Sequence, residues 1–206
     1  MDRSYHIDPL VPNKRRALIL AIYLSAYREF VGGATITIFA GQMIGTIDKP
    51  FAPFASITVN GIQFVTTAIS TFWLGRLLNR RTCFLASGII MATSCYAIFF
   101  GYIFNVDILI LVFLAIYIAI YGLLYAPVNW AYPAEILPPS KVVLAVTISW
   151  ISLAITTIFP PIIMEKMDNN AFPIYLFFAV YTTISLIYIG LKLVESRGRS
   201  YKQIIE

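Results

Sequence analysis

The stretch YREFVGGATITIF, Tyr27–Phe39, places an arginine and a glutamate inside a long apolar run that begins near Ala17. Charge at mid-membrane depth costs about 3 kcal/mol or more, so Arg28 and Glu29 call for a structural or functional reason. Adjacent helical residues point about 100° apart, so the two are not expected simply to pair with each other. They are expected either to face a cavity and hold an anionic or zwitterionic ligand, to meet a neighbouring subunit within the membrane, or to be neutralised locally.

The surrounding composition sets the frame. Of 206 residues, 59% are hydrophobic and 12% charged, against about 25% charged in soluble domains. A small soluble core cannot hide this excess of apolar side chains, so the chain reads as an all-α polytopic membrane protein. Six windows are long and apolar enough to span, at 17–41, 54–75, 83–104, 108–131, 142–164 and 171–193. They divide the chain into a polar tail (1–16), a six-helix membrane domain (17–194) and a short C-terminal tail (195–206). Cys83 and Cys95 both fall within apolar helices, which argues against a disulfide framework. The N-terminal stretch MDRSYHIDPLVPNKRR contains Asp2 and Asp8 and resembles neither a cleavable signal nor a transit peptide.

Charge then sets the orientation. With six spans both termini share one side, which holds Arg3, Lys14, Arg15, Arg16, Arg76, Arg80, Arg81, Lys141, Lys192, Arg197, Arg199 and Lys202. The other side holds only Lys49 and Lys166. That asymmetry predicts termini in the cytoplasm, or in the matrix of a mitochondrion. It also accounts for the net charge of +5 without nucleic acid, and it leaves a basic rim suited to anionic lipids of the bilayer.

Three stretches in order carry a family resemblance: GRLLNRRTCFLASG after span two, YAPVNWAYPAEILP closing span four, and VESRGRSYKQI after span six. Together they resemble the sugar porter family of the major facilitator superfamily, where the corresponding stretches read like D-R-x-G-R-R, G-P-x-P-W…E-I-x-P and P-E-[ST]-K-G-R. The resemblance covers residues 17–206 and only the C-terminal six-helix half, which implies two inverted three-helix repeats. In such carriers the substrate lies between two six-helix halves, and this chain begins almost where the second half would begin.

The resemblance also assigns positions. The family's first helix of this half carries Gln-Gln-x-x-Gly-x-Asn, whose amides donate to and accept from sugar hydroxyls. Aligned on Gly32, those amides fall on Arg28 and Glu29, and the asparagine on Ala34. Phe64 and Gly122 stand where polar residues are usual, and Ser149–Trp150 where Asn-Trp is typical. Trp130 is kept as the aromatic wall, while the helix-breaking pair becomes Pro127 and Asn129. Arg28, Glu29, Trp130, Ser149 and Trp150 are therefore the residues expected to face a cavity or a partner. With most hydroxyl-reading groups replaced, sugar binding and sugar transport by this chain alone are not expected.

Arg80, Arg81, Glu135, Glu195 and Arg199 match the family's cytoplasmic charge network, in which salt bridges between helix ends stabilise one state of the transport cycle. Arg76, Leu77 and Asn79 depart from the arginine motif, and Lys141 replaces the arginine after the glutamate turn. A structural use of the network, or retained positive charge alone, is the expectation. No phosphate loop, nucleophile triad or zinc motif is present in the sequence, so no enzyme, metal or cofactor is expected. The first reading is a half-porter recruited as an accessory, non-transporting subunit of a larger membrane complex, for which a mitochondrial inner-membrane respiratory assembly would suit the small tails and loops. The alternative is a carrier of sugar or organic anion, built as a dimer or with a separate N-terminal half.

Overall fold

The computed structural model describes residues 14–45, 50, 52–72, 79–167, 171–193 and 196. Every regular element among them is helical: α1 (Lys14–Phe30), α2 (Gly33–Gly45), α3 (Ala52–Phe72), α4 (Arg80–Phe104), α5 (Asp107–Ile120), a π segment (Tyr121–Tyr125), α6 (Ala126–Ile136), α7 (Pro139–Lys166) and α8 (Phe172–Lys192). Both tails lie almost wholly outside the described residues, as do Arg76 and Leu77.

The helices form six rods, because α1 continues into α2 and α5 continues through the π segment into α6. Five rods are apolar and long enough to cross a membrane. The sixth, α3, has the length at 21 residues, but Ser56, Thr58, Asn60, Gln63, Thr66, Thr67, Ser70 and Thr71 dilute its apolar character. Three crossings carry a chain to the opposite face, so the second set of three rods runs inverted relative to the first. The rods pack chiefly as α4 on α8 and α5, α1 on α7, and α2 on α3, with the π segment against α3. A buried aromatic pile ties α1, α4 and the fourth rod together. Tyr27 and Phe84 both meet Tyr125 edge-on, at 5.8 and 5.7 Å between ring centroids, and Phe84 meets Tyr132 at 6.0 Å.

Two interruptions distinguish this bundle from six plain helices. The first window, expected at 17–41 as one run, breaks at Val31 and Gly32, where Gly32 adopts φ +96°. That conformation favours glycine, and the ring of Phe178 lies only 2.5 Å from where a Cβ would stand. The Tyr121 ring covers Gly33 still more closely, at 2.1 Å from a Cβ position. A broken helix frees backbone carbonyls that lipid cannot satisfy. Here the buried Tyr117 hydroxyl donates to the Val31 carbonyl at 2.8 Å, and the Gly32 N–H donates back to Glu29 O at 2.9 Å.

The second interruption follows from Pro127. Proline has no N–H for the carbonyl four residues back and its ring crowds it. The ladder widens in the turn before it, and the Ala126 N–H donates to Tyr121 O, five residues back. The wide turn carries Tyr121 and Tyr125 inward, the first onto Gly33 and the second onto Tyr27. The Tyr117→Phe variant should lose about 1–3 kcal/mol of stability, the cost of an unsatisfied buried carbonyl. A fall in the unfolding midpoint of detergent-purified protein, with helical content unchanged, checks this.

Candidate functional site: a buried charge cluster and a charged helix-end network

Arg28 and Glu29 do pair, contrary to the expectation from helical geometry. Arg28 Nε stands 3.2 Å from Glu29 Oε1. The helix ends two residues later, and the arginine side chain is long enough to fold back over its neighbour. Nε makes no hydrogen bond of proper angle, so the contact is electrostatic rather than directed. Glu29 is 1% exposed. Its Oε1 also accepts the Ser149 hydroxyl of α7 at 2.8 Å, while Oε2 has no hydrogen-bond partner. The Arg28 guanidinium carbon lies 3.9 Å from the centre of the Trp130 ring. This cation–π contact covers one face of the indole, although Trp130 remains 47% exposed.

Four of the five expected cavity residues therefore form one cluster: Arg28, Glu29, Trp130 and Ser149. Trp150, next along α7, is exposed and outside it. Beside the cluster lies a cavity of about 30 Å³ among Ser25, Arg28, Asn129, Trp130, Ser149 and α7. Asn129, which stands in for the second proline, is buried and donates to Leu24 O at 3.4 Å and to Tyr125 Oη at 3.0 Å. It stitches α6 to α1.

Two readings from the resemblance take a different meaning. Gly122 marks a close approach as well as a missing polar group. A Cβ there would stand 2.3 Å from Thr66 Oγ1 and 3.0 Å from the Gln63 carbonyl, so α3 leaves no room for an acid. Phe64 is exposed, and the polar group is one residue away: Gln63 places Oε1 3.1 Å from Thr37 Oγ1, which itself donates to Gly33 O at 2.7 Å. Asn129 was legible within its motif. Gln63 and Thr37 carried no motif, and only the crossing of α2 and α3 brings them together.

At the other site, Arg80 donates from Nε and Nη2 to Glu135 Oε1 at 3.2 and 3.0 Å. The Ser196 hydroxyl donates to the second carboxylate oxygen. Arg81 donates to the Gly190 carbonyl of α8 at 2.8 Å. Each charge opposes the dipole of its own helix, because arginines sit at the start of α4 and the glutamate at the end of α6. Each is favourable against its neighbour's end, so the network holds helix ends that would otherwise be mismatched. Glu195 and Arg199 lie outside the described residues.

A family model described as "Sugar (and other) transporter" matches residues 3–206. The chain belongs to that family. It is 26% identical to Sugar transport protein 12 and 27% identical to Sugar transport protein 4 of Arabidopsis thaliana, over 89% and 92% of this chain. Only 39% and 40% of those relatives is spanned. Among solved structures, the proton:xylose symporter XylE bound to 6-bromo-6-deoxy-D-glucose superposes with a TM-score of 0.79 at 17% identity, over 91% of this chain and 42% of that one. An inward open XylE from E. coli gives 0.76 at 18% identity. The fold is that of a major facilitator half, and the chain spans about two fifths of the curated relatives it matches.

Two variants probe the geometry. Gly122→Ala should cost about 1–3 kcal/mol through overpacking against α3, seen as a lower unfolding midpoint. Arg80→Ala should cost about 1–2 kcal/mol, the worth of a charge-assisted pair at a half-buried site, and the double exchange Arg80→Glu with Glu135→Arg should recover part of it.

Proposed function

We propose that this six-helix unit works as one half of a membrane carrier, docked along α3 and α7 onto a second six-helix body. The observation that carries this reading is the outward face of α3. Thr58, Asn60 and Thr71 are exposed there and satisfy themselves only by donating to carbonyls of their own helix. Gly61 faces open space, which lets another helix approach closely. The threonines are satisfied within the helix, so Asn60 is the group that lipid serves worst, and beside it the face also exposes Phe54, Ile57, Phe64 and Phe72, an apolar surface for a second helix to cover. α7 is the least buried of the candidate spans, and α2 touches both α3 and α7. The surviving Arg80–Glu135–Ser196 network supports a helix-end lock of the kind an alternating carrier releases and remakes.

The solute is not a neutral sugar in this reading, because an ion pair occupies the place of the sugar-reading amides and Arg28 covers one face of Trp130. The arginine-rich helix ends, with Arg15, Arg16, Lys141 and Lys192, face the cytoplasm or matrix and touch anionic lipids there. A second reading, an accessory and non-transporting subunit of a larger membrane complex such as a respiratory assembly, is favoured by one specific feature. Glu29 is sealed in and neutralised by Arg28 and Ser149, as a purely structural interlock would be.

The test is the native particle purified in mild detergent, with its mass determined and its flux of sugars and small organic anions measured in proteoliposomes. A particle of two six-helix bodies with saturable flux is expected. Asn60→Leu with Gly61→Leu should then dissociate it, abolishing flux while the unfolding midpoint of the chain holds. A many-subunit particle without flux establishes the accessory role instead.

A further inference from the structure

The Arg28 cluster has three features that a closed structural interlock does not need. Arg28 keeps 17% of its side chain exposed, with Nε itself buried, so the side chain lies at the edge of the fold rather than sealed within it. Its ionic partner Glu29 is inside, with Oε2 buried and without a hydrogen-bond partner. A cavity of about 30 Å³, room for a water or two, opens beside Arg28, Trp130 and Ser149. The contact between Nε and Glu29 lacks hydrogen-bond geometry, whereas a planar carboxylate approaching a guanidinium edge makes two parallel hydrogen bonds. Trp130, 47% exposed beside Arg28, gives the apolar part of such a ligand an aromatic surface to lie on.

We propose that Glu29 is an internal stand-in for an external carboxylate: a small monocarboxylate entering beside Trp130 takes the Arg28 guanidinium from it, and Glu29 binds a proton as it lets go. This deepens the carrier reading above and rests on it for its biological meaning. The proton follows from the chemistry. A carboxylate left buried without its counter-charge is costly, and such a group neutralises instead. The charged and titratable groups facing Glu29 are Arg28 on its own helix and Tyr121 on the π segment. Ser149 on α7 does not titrate, and its hydroxyl can turn to accept from the carboxylic acid as readily as it donates to the carboxylate. The balance is one ligand anion and one proton taken up, with no net change of charge at the site. The bound state therefore holds one more proton than the free state. Affinity rises as pH falls, about ten-fold per pH unit while free Glu29 is ionised and the ligand stays a carboxylate.

Calorimetric titration of the purified protein in lipid nanodiscs decides it, with acetate as probe and acetamide as its neutral isostere. Acetate should bind with the stated pH dependence and with uptake of one proton, read from the buffer dependence of the heat, and acetamide should not bind. Glu29→Gln should bind acetate about ten-fold more tightly or better, without pH dependence, and Arg28→Gln should not bind. Folding of both variants is checked by their unfolding midpoints, and Arg28→Lys, which keeps the charge, should retain weak binding. Absence of acetate binding to both wild type and Glu29→Gln overturns the proposal, as does equal binding of acetamide or a Glu29→Gln variant that still takes up a proton. Binding is read without transport, so acetate bound by a protein that carries no flux sinks the carrier reading and leaves the anion site standing.

Discussion

Everything near the centre of this bundle depends on a backbone interruption that must be satisfied away from water. A helix crossing a bilayer keeps every N–H and C=O paired within itself, and Val31 and Gly32 break that rule. The break persists because two other rods repair it. Tyr117 donates to Val31 O, Tyr121 covers Gly33, and Phe178 fills the side of Gly32 that any larger residue would need. The π segment belongs to the same arrangement, because Pro127 widens the turn that turns Tyr121 toward the glycine pair. Two irregular helices are thus fitted to each other.

The same break explains how charge is tolerated so deep. Arg28 and Glu29 sit in the last turn of α1, where the ladder is ending and α6 and α7 both come close. The carboxylate receives a hydroxyl from α7 and the guanidinium rests on the indole of α6. A buried pair of this kind is weak as a source of stability, since desolvation offsets most of its attraction. Its effect is on geometry, because breaking either partner strands a charge. At the charged end of the bundle the logic is reversed: Arg80 and Glu135 are partly exposed, and what matters is that each cancels the dipole of the neighbouring helix.

The candidate site was legible where its chemistry was local. The quoted motifs located Arg28, Glu29, Trp130 and Ser149, and the structure gathers those four. The arginine turn and the glutamate turn likewise located Arg80 and Glu135. What a linear reading missed depends on the crossing of rods. Helical geometry set Arg28 and Glu29 apart, because it took no account of a helix about to end. Gly122 read as a lost polar group, because nothing in the chain says that α3 presses on it. Gln63 was passed over for its neighbour Phe64, since a one-residue shift in register turns a helix by more than a quarter of its circumference.

The sequence by itself determined the membrane class, the six rods, the asymmetry of positive charge and the family, because these rest on composition, span length and short motifs. Hydropathy is additive along a chain, so it survives without a fold. Tertiary structure alone decided that the first span is broken, that a carboxylate and a guanidinium close on each other, and that one face of Trp130 is covered. Those outcomes depend on distances between residues far apart in sequence, Val31 with Tyr117 and Glu29 with Ser149 among them, and no local pattern encodes a distance across a bundle.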